Sequence, residues 1–286
     1  MTSTTTGWIN GFVGMLIFSG SLPATRVAVA EFDPLFLTSG RAVIAAALGG
    51  LMLLVLRQRR PERADLMSLS ITSFGVVLGF PLLTALALQH ITSAHSLVFI
   101  GLLPLATATF GVLRGGERPA PLFWLFSLIG AALVAGFALS QSGGGSLTGD
   151  LLMVGAIIVC GLGYAEGAAL SRKLGGWQVI SWALLLGAPF MAVPGLMTWP
   201  TVWSGISASA WAGFAYVSTF SMLIGFVFWY RGLAIGGIAG VGQLQLIQPF
   251  FGLLLAGLLL GETIKLSMVG VTVLVVICVA GARRHA

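Results

Sequence analysis

Charged residues are scarce in this chain of 286 residues. They make up 8% of the sequence, against about 25% in a soluble domain, while 57% of the residues are hydrophobic and the mean hydropathy is +1.03. A soluble fold of this size has too little interior to bury so much apolar surface. The sequence therefore predicts a membrane protein whose surroundings are the lipid bilayer.

Acidic residues number only eight, against 14 basic ones, and the formal net charge is +6. The positive charge falls in short islands between apolar runs, which argues against a nucleic-acid partner. Cysteine occurs twice, and Cys160 and Cys278 both lie deep in apolar runs, where a thiol behaves as a small hydrophobic group. No disulfide or redox role is predicted.

Motifs of the common enzyme classes are missing as well. The sequence contains no His-Glu-x-x-His zinc motif, no Gly-x-Ser-x-Gly elbow and no phosphate-binding loop. We therefore predict no enzymatic activity, no catalytic residue, no metal and no cofactor, and ATP is excluded as the direct driver.

The N-terminal apolar run lacks the basic start of a signal peptide. Lys and Arg are absent from Met1 to Gly20, and Pro23 and Arg26 interrupt the run further on. We interpret this segment as a first membrane helix that is retained.

Ten apolar runs of roughly 20 residues, the length of a membrane-spanning helix, follow one another along the chain. Because they show no period-2 alternation, a helical bundle is favoured over a barrel. The fold class predicted is an all-α membrane protein with ten transmembrane helices, at residues 9–30, 34–56, 66–88, 93–114, 120–140, 150–171, 177–199, 209–234, 238–260 and 263–281.

The basic residues between these runs predict an orientation. Ten spans place both termini and every even-numbered loop on one side, and by the positive-inside rule the side richer in Lys and Arg is the cytoplasm. We therefore predict a multi-pass protein of the bacterial inner membrane with both termini in the cytoplasm. The basic residues on that side are Arg57, Arg59, Arg60, Arg63, Arg114, Arg118, Arg172, Lys173, Arg283 and Arg284.

The first half of the chain matches the second at a shift of 145 residues. The shift superposes Pro104 on Pro249, each inside an apolar run, and Glu117 on Glu262, each after a glycine. We predict that the two prolines are hinges beside a central cavity and that the two glutamates cap helices.

Each half contains five spans, an odd number, so the two copies cross the membrane in opposite directions. Such inverted repeats surround a central cavity in many secondary transporters and supply two related states, one open to each side. We predict one five-helix repeat at residues 1–140 and another at 150–286, joined by the Gly/Ser-rich linker 141–149.

Three sequence motifs resemble those of the drug/metabolite transporter superfamily, EamA type. They are Ile17-Phe-Ser-Gly-Ser-Leu-Pro-Ala-Thr-Arg26, then Arg41 near the start of the second span, and Trp229-Tyr-Arg-Gly-Leu-Ala-Ile-Gly-Gly-Ile-Ala-Gly240 followed by Gln248-Pro249. The first motif has Phe18 where many members have tryptophan. The resemblance covers essentially the whole chain.

This resemblance implies a secondary transporter that works by alternating access. The chain looks most like the bacterial exporters of aromatic amino acids and paraquat, so the expected substrates are amino acids or related small metabolites. Export of drugs, quaternary ammonium compounds or nucleotide sugars, and a passive channel, remain alternatives. The resemblance places the cavity among the first, third, fourth, sixth, eighth and ninth spans, and leaves the fifth and tenth as scaffold or as a homodimer contact.

Four charged residues lie well inside predicted spans, away from the first and last few positions, where a charge is costly and therefore faces the bundle interior in most proteins. We predict that Glu166 and Arg231 form an ion pair that closes the cytoplasmic side, with snorkelling of Arg231 to the lipid surface as the alternative. Arg26 and Arg41 lie toward the outer side, where Glu31, Asp33 or a substrate carboxylate would neutralise them.

Polar and aromatic residues within spans supply the predicted substrate-binding residues. Gln245 and Gln248 share a helix face, and the repeat maps Gln248 onto Leu103. Interhelical hydrogen bonding is the alternative role for the two glutamines, and burial in the core or solvation is the alternative for the tyrosine and histidine. The predicted substrate-binding residues are Ser21, Phe99, Leu103, Tyr164, Gln245, Gln248 and His90.

Overall fold

The computed structural model describes residues 3–115, 120–140, 146–236 and 241–284, and the regular elements in these ranges are all helices. Glu117 and most of the linker 141–149 lie outside the described residues. We label the helices α1 (Ser3–Ser19), α2 (Ser21–Val29), α3 (Pro34–Val55), α4 (Leu66–Thr72), α5 (Phe80–His90), α6 (Ser93–Ile100), α7 (Leu103–Gly115), α8 (Pro121–Ser140), α9 (Leu147–Leu174), α10 (Gly176–Met197), α11 (Ala208–Tyr216), α12 (Gly225–Gly236), α13 (Gln248–Leu260) and α14 (Leu266–Arg283).

Two of the long helices contain π-helical segments. Ser73–Gly79 joins α4 to α5, and Val217–Ile224 joins α11 to α12. A shift of 145 residues places the first segment on residues 218–224, nearly the whole of the second. Segments of π-helix are rare within α-helices and are frequently found at functional sites. Both halves of the chain therefore share the same helical irregularity at the same position.

The protein is a multi-pass membrane protein by helix length and composition. Within the described ranges, seven helical stretches are long and apolar enough to cross a bilayer, and three shorter apolar stretches occur at Pro121–Gly130, Leu244–Leu260 and Leu266–Cys278. Each of the ten predicted spans overlaps a helix. The structure therefore supports seven membrane crossings, and the count of ten stays a prediction.

Glycines allow the two halves to pack backbone to backbone. α1 lies along α12, and a Cβ added to Gly232 would be 2.6 Å from the backbone nitrogen of Gly11. The first π-helical segment packs in the same way against α9, where a Cβ on Gly75 would be 2.7 Å from the Cα of Gly163. Small residues at such positions permit the close helix contacts on which stability in lipid depends.

Polar contacts gather at two opposite ends of the bundle. At one end, which we call the Glu31 end, Glu31 accepts hydrogen bonds from Ser207, and Glu262 accepts hydrogen bonds from Ser93. At the other, which we call the Lys173 end, Lys173 contacts Glu62 and Asp65. α3 runs from the first end to the second over 22 residues, or about 33 Å at 1.5 Å per residue, close to the thickness of a bilayer core.

Candidate functional site

A small cavity lies where the two halves meet. Its volume of about 20 Å³ is room for roughly one water molecule. The six spans expected to form the cavity all contribute to its wall, and the second span adds Arg41. Five of the residues singled out from the sequence line it: Ser21, Arg41, Leu103, Tyr164 and Gln248.

The cavity wall repeats the relationship between the two halves. Three pairs of lining residues are 145 positions apart in the chain: Val76 and Ser221, Pro81 and Phe226, and Leu103 and Gln248. In two of the pairs the second half brings a polar group, Ser221 or Gln248, where the first half has an apolar residue. The cavity therefore lies at the centre of the repeat, although equivalent positions in the two halves do not carry the same chemistry.

Arg41 supplies the positive charge of this cavity. It lies on α3, whose start is fixed by Asp33, because that carboxylate accepts hydrogen bonds from the N–H groups of Leu35 and Phe36. The Arg41 side chain is buried, with 5% of the residue exposed, and its Nη2 donates to Ser221 Oγ at 3.2 Å. Ser221 Oγ in turn lies 2.7 Å from Ser21 Oγ.

The guanidinium of Arg41 keeps unused hydrogen-bonding capacity. Its Nε has no hydrogen-bond partner, and among the residues that the structure describes no Asp or Glu lies within 4.0 Å of it. Burying an unpaired cation costs free energy, and proteins tolerate such a group where a ligand or a water molecule supplies the missing hydrogen bonds. The predicted neutralisation of Arg41 by Glu31 or Asp33 is wrong in this conformation, because Glu31 binds Ser207 and Asp33 caps α3.

Gln248 faces the same cavity from the opposite half. It opens α13 directly after the 3-10 turn Gly242–Leu246, and its Oε1 is buried without a hydrogen-bond partner. Gln245 is also buried, and its Nε2 is likewise unpartnered, but the residue does not line the cavity. Interhelical hydrogen bonds, the alternative role for these amides, involve neither of these two atoms.

Three aromatic rings form the apolar wall. Phe18 and Phe226 lie with ring centroids 4.9 Å apart, and Tyr164 lies 6.4 Å from Phe18 and 5.9 Å from Phe226. These edge-to-face and stacked arrangements are those that aromatic pairs prefer. Sequence reasoning found Tyr164 but missed Ser221 and Phe226, although the 145-residue shift applied to the third span would have pointed to both.

Two other predicted binding residues lie away from the cavity. His90 is exposed at the last position of α5, so the structure does not place it with the substrate. Phe99 is buried, but its ring faces that of His95 at 5.8 Å rather than the cavity. The turn at Gly101 and Leu102 separates α6 from α7, and Leu103 reaches the cavity beyond it.

The proposed gate between Glu166 and Arg231 is not formed. Both residues belong to the described ranges, and no ion pair joins them. Arg231 is exposed on α12, whereas Glu166 is buried within α9. The pair does not form because Arg231 is exposed on the outer face of α12, while Gly232 beside it faces α1.

Arg26 binds the backbone instead of an acid. Its Nη1 donates to the carbonyl oxygen of Leu88 at the end of α5. The charge therefore stabilises a helix C-terminus, where carbonyl groups lack partners. The expectation that Glu31 or Asp33 neutralises Arg26 is wrong in this conformation, and the residue instead ties α2 to α5 at the Glu31 end.

The two prolines occupy equivalent positions at breaks in the helices. Pro104 is the second residue of α7, after the turn at Gly101, and Pro249 is the second residue of α13, after the 3-10 turn. Proline is well tolerated in the first turn of a helix, because the backbone N–H it lacks would have no intrahelical partner there. Each proline therefore stabilises a broken helix at the level of the cavity.

Carboxylates at the Glu31 end bridge different elements. Glu262 accepts hydrogen bonds from the N–H groups of Ser93 and Ala94. It therefore caps α6, whereas the sequence predicted that it caps the helix that follows it. Glu31 accepts from the hydroxyl and the N–H of Ser207, both at 2.6 Å. The hydroxyl bond, followed by the backbone bond, lowers the pKa of Glu31. These bridges tie neighbouring elements together at this end of the bundle.

Comparison with known proteins gives the same assignment across the whole chain. The model of the EamA-like transporter family matches twice, at residues 5–139 and 147–283. An uncharacterized transporter YdeK of Bacillus subtilis (strain 168) is 66% identical over 286 residues, all of both chains. An uncharacterized transporter of Archaeoglobus fulgidus is 24% identical over 253 residues, 87% of each chain.

A protein of known crystal structure shares the fold. It aligns with a TM-score of 0.67 at 20% identity and covers 97% of this chain and 96% of its own. The double family match and the relative from Bacillus subtilis carry the assignment of a transporter and not an enzyme. By these matches, which span nearly every residue from α1 to α14, the chain belongs to the EamA-like transporter family within the drug/metabolite transporter superfamily.

Proposed function

We propose that this transporter exports amino acids, or small metabolites that carry a carboxylate, across the bacterial inner membrane. The observation that carries the proposal is the guanidinium of Arg41, which is buried in the central cavity without an acidic partner in the described part of the chain. Charge-assisted hydrogen bonds between a guanidinium and a carboxylate are among the strongest polar contacts in proteins. A substrate carboxylate would supply the charge that Arg41 lacks.

The remaining groups suit the rest of an amino acid. The Oε1 of Gln248 accepts hydrogen bonds only, and it would take the substrate ammonium. The rings of Phe18, Tyr164 and Phe226 would enclose an apolar or aromatic side chain. A quaternary ammonium compound fits less well, because it would meet the positive charge of Arg41 without offering an anion.

The size of the cavity argues for alternating access. At about 20 Å³ it excludes any amino acid, so transport requires a rearrangement of the bundle. Two repeats, residues 1–140 and 150–286 with the linker 141–149, would supply it by rocking about the breaks before Pro104 and Pro249. The basic residues around Lys173 favour the Lys173 end as cytoplasmic, with both termini on that side.

Counterflow in proteoliposomes tests this function. Purified protein is reconstituted into vesicles loaded with an unlabelled amino acid, and entry of the tritiated form is followed for L-phenylalanine, L-threonine and L-alanine. We expect saturable counterflow for at least one of them, and a loss of at least ten-fold in Arg41→Gln. The matched control is Arg59→Gln, an exposed arginine outside the long helices, which should transport normally.

Three outcomes would contradict the proposal. Flux that rises linearly with concentration and shows no counterflow indicates a channel. Equal transport by wild type and Arg41→Gln removes the carboxylate contact. No flux of any amino acid above empty vesicles removes the substrate class, and tetraethylammonium and a nucleotide sugar are then the next probes.

A further inference from the structure

A buried histidine–aspartate pair joins α6 to α9 near the Glu31 end. His95 Nε2 lies 2.7 Å from Asp150 Oδ1, and the two residues are 2% and 7% exposed. Asp150 belongs to the first turn of α9, and His95 to the first turn of α6, where its N–H is capped by the hydroxyl of Thr92. Ionisable groups buried at membrane depth are costly and mark proton or ion pathways in many transporters.

Two charged groups on neighbouring elements, Glu262 and Arg26, have partners other than this pair. Glu262, in the loop after α13, caps Ser93 and Ala94 on α6. Arg26 on α2 binds the carbonyl of Leu88, and His90 on α5 is exposed. Lys265 lies beyond Glu262, and Cys278 on α14 is a buried thiol. Asp150 is therefore the carboxylate in direct contact with His95.

The pair lies on the segment of the chain that leads to the substrate cavity. His95, Phe99 and Leu103 follow at intervals of four residues, and Phe99 packs against the imidazole with ring centroids 5.8 Å apart. Leu103, beyond the turn that ends α6, lines the cavity. On the other side, the ring of Phe137 lies 4.9 Å from His95. A change in the bond between His95 and Asp150 thus acts on the element that leads into the cavity.

We propose that the His95–Asp150 pair carries the proton that this transporter exchanges for its substrate, an inference that rests on the proposed function. Without the proton, the pair is a neutral imidazole hydrogen-bonded to a carboxylate, with net charge −1. Protonation adds one N–H bond to the imidazole and gives an ion pair of net charge zero. Histidine suits this task because either of its ring nitrogens can take up or release a proton.

The charge change controls the contact between α6 and α9. A hydrogen bond between two charged groups is stronger than one in which the imidazole is neutral. The protonated pair therefore holds the Glu31 end closed while the cavity opens to the other side. Release of the proton to water in the cavity, while the cavity is open to the Lys173 end, weakens this contact, and bound substrate then leaves as the Glu31 end opens. The next proton binds from the Glu31 side, so one proton enters for each substrate that leaves.

The experiment separates exchange from proton-driven transport in the same vesicles. Wild type, His95→Gln and Asp150→Asn are reconstituted, with tritiated L-phenylalanine as the probe and a pH-sensitive dye trapped inside. We measure counterflow at equal pH on both sides, and then accumulation and dye response under a gradient of one pH unit with the vesicle interior acidic. In wild type the gradient should raise accumulation about five- to ten-fold, and substrate should move protons in the opposite direction.

The variants should keep counterflow within about two-fold of wild type and lose both the stimulation by the gradient and the proton movement. The matched control is His90→Gln. His90 is an exposed histidine five residues before His95, and this variant should behave as wild type. If either single variant loses counterflow as well, the exchanged pair His95→Asp with Asp150→His decides. Recovery of gradient-driven transport supports the proposal, and no recovery overturns it.

The failure of this inference is distinct from the failure of the proposed function. Counterflow without any effect of the gradient in wild type would overturn proton exchange and leave the transporter a facilitator. It would also be overturned if His95→Gln and Asp150→Asn still responded to the gradient. The same holds if Glu166→Gln lost the response while those two variants kept it. Absence of counterflow for every probe in wild type would instead remove the proposed function itself.

Discussion

Arg41 and Ser221, 180 residues apart in the chain, are joined by a hydrogen bond of 3.2 Å in the centre of the bundle. Arg41 belongs to α3 in the first half, and Ser221 to the π-helical segment of the second. Ser21 on α2 extends the contact, at 2.7 Å from the Ser221 hydroxyl. The bond thus links the two halves at the cavity, and a ligand on Arg41 would compete with it.

Substrate analogues test what Arg41 recognises. An amino acid amide, which lacks the carboxylate charge, should compete with labelled substrate at least ten-fold less well than the parent amino acid in wild type. In Arg41→Lys, which keeps the charge and loses the planar fork, we expect a higher KM with a smaller change in the maximal rate. A charged hydrogen bond contributes about 1.5 to 3 kcal/mol, or roughly ten- to a hundred-fold in affinity.

The measurement is inhibition of counterflow by the amino acid, its amide and its decarboxylated amine. In Arg41→Gln the three compounds should inhibit to a similar degree. A variant that still prefers the free carboxylate by ten-fold would show that another group recognises it.

Gln248 should govern the ammonium side of the substrate. Gln248→Leu gives the second half the residue that the first half has at Leu103, so the cavity loses its unpartnered amide oxygen. We expect KM to rise by at least five-fold, while the folded state gains slightly because a buried unsatisfied group is removed. Counterflow kinetics and thermal unfolding of the purified protein measure the two effects.

The double variant Leu103→Gln with Gln248→Leu moves the amide to the related position in the other half. If the cavity is symmetric enough for the substrate to bind in the reversed orientation, transport should recover in part. No recovery would place the ammonium contact on Gln248 alone, and unchanged KM in the single variant would contradict the contact altogether.

Close packing between α1 and α12 should limit substitution at Gly232. Because a Cβ there would lie 2.6 Å from the backbone of Gly11, Gly232→Ala must separate two helices and should destabilise the protein by about 1 to 3 kcal/mol. Gly270→Ala on α14 is the control, since a Cβ at Gly270 meets nothing within 4 Å. Thermal unfolding in detergent compares them, and equal midpoints would contradict the predicted contact.

The positions of the helices could be predicted from the sequence because apolar runs of membrane length leave little choice of structure. The repeat was visible in Pro104 and Pro249, since residues that break a helix are easily recognised. What the sequence did not show was which face of each helix meets its neighbour. Arg231 is charged and Gly232 is not, yet Gly232 occupies the interior, because backbone approach to α1 requires it.

The candidate site was predicted in part for the same reason. Ser21, Arg41, Tyr164 and Gln248 stand out as polar groups in apolar surroundings, and all four line the cavity. Glu262 and Asp150 were harder to interpret, because their partners are far away in the chain and belong to α6. Long-range partners of this kind depend on how helices pack, and one sequence contains no direct record of it.

Acid should weaken the bridge between Glu31 and Ser207. The hydrogen bonds from Ser207 hold the pKa of Glu31 below its ordinary value of 4.5. Because the pKa is lower in the folded state, the bridge stabilises the protein fully above the unfolded value, and this stabilisation is lost as pH falls through the folded pKa. Glu31→Gln keeps a carbonyl oxygen for Ser207 but does not ionise, so it is the reference.

Thermal unfolding of wild type and Glu31→Gln is compared in steps from pH 7 to pH 3. Wild type should have the higher midpoint at pH 6 to 7, and the difference should shrink below about pH 4.5 as the Glu31 carboxylate takes up a proton. Asp33→Asn removes the other nearby charge but leaves the bridge, so its difference from wild type reports the cap of α3 separately. A difference between wild type and Glu31→Gln that stays constant from pH 7 to pH 3 would mean that the charge of Glu31 does not stabilise this end of the bundle.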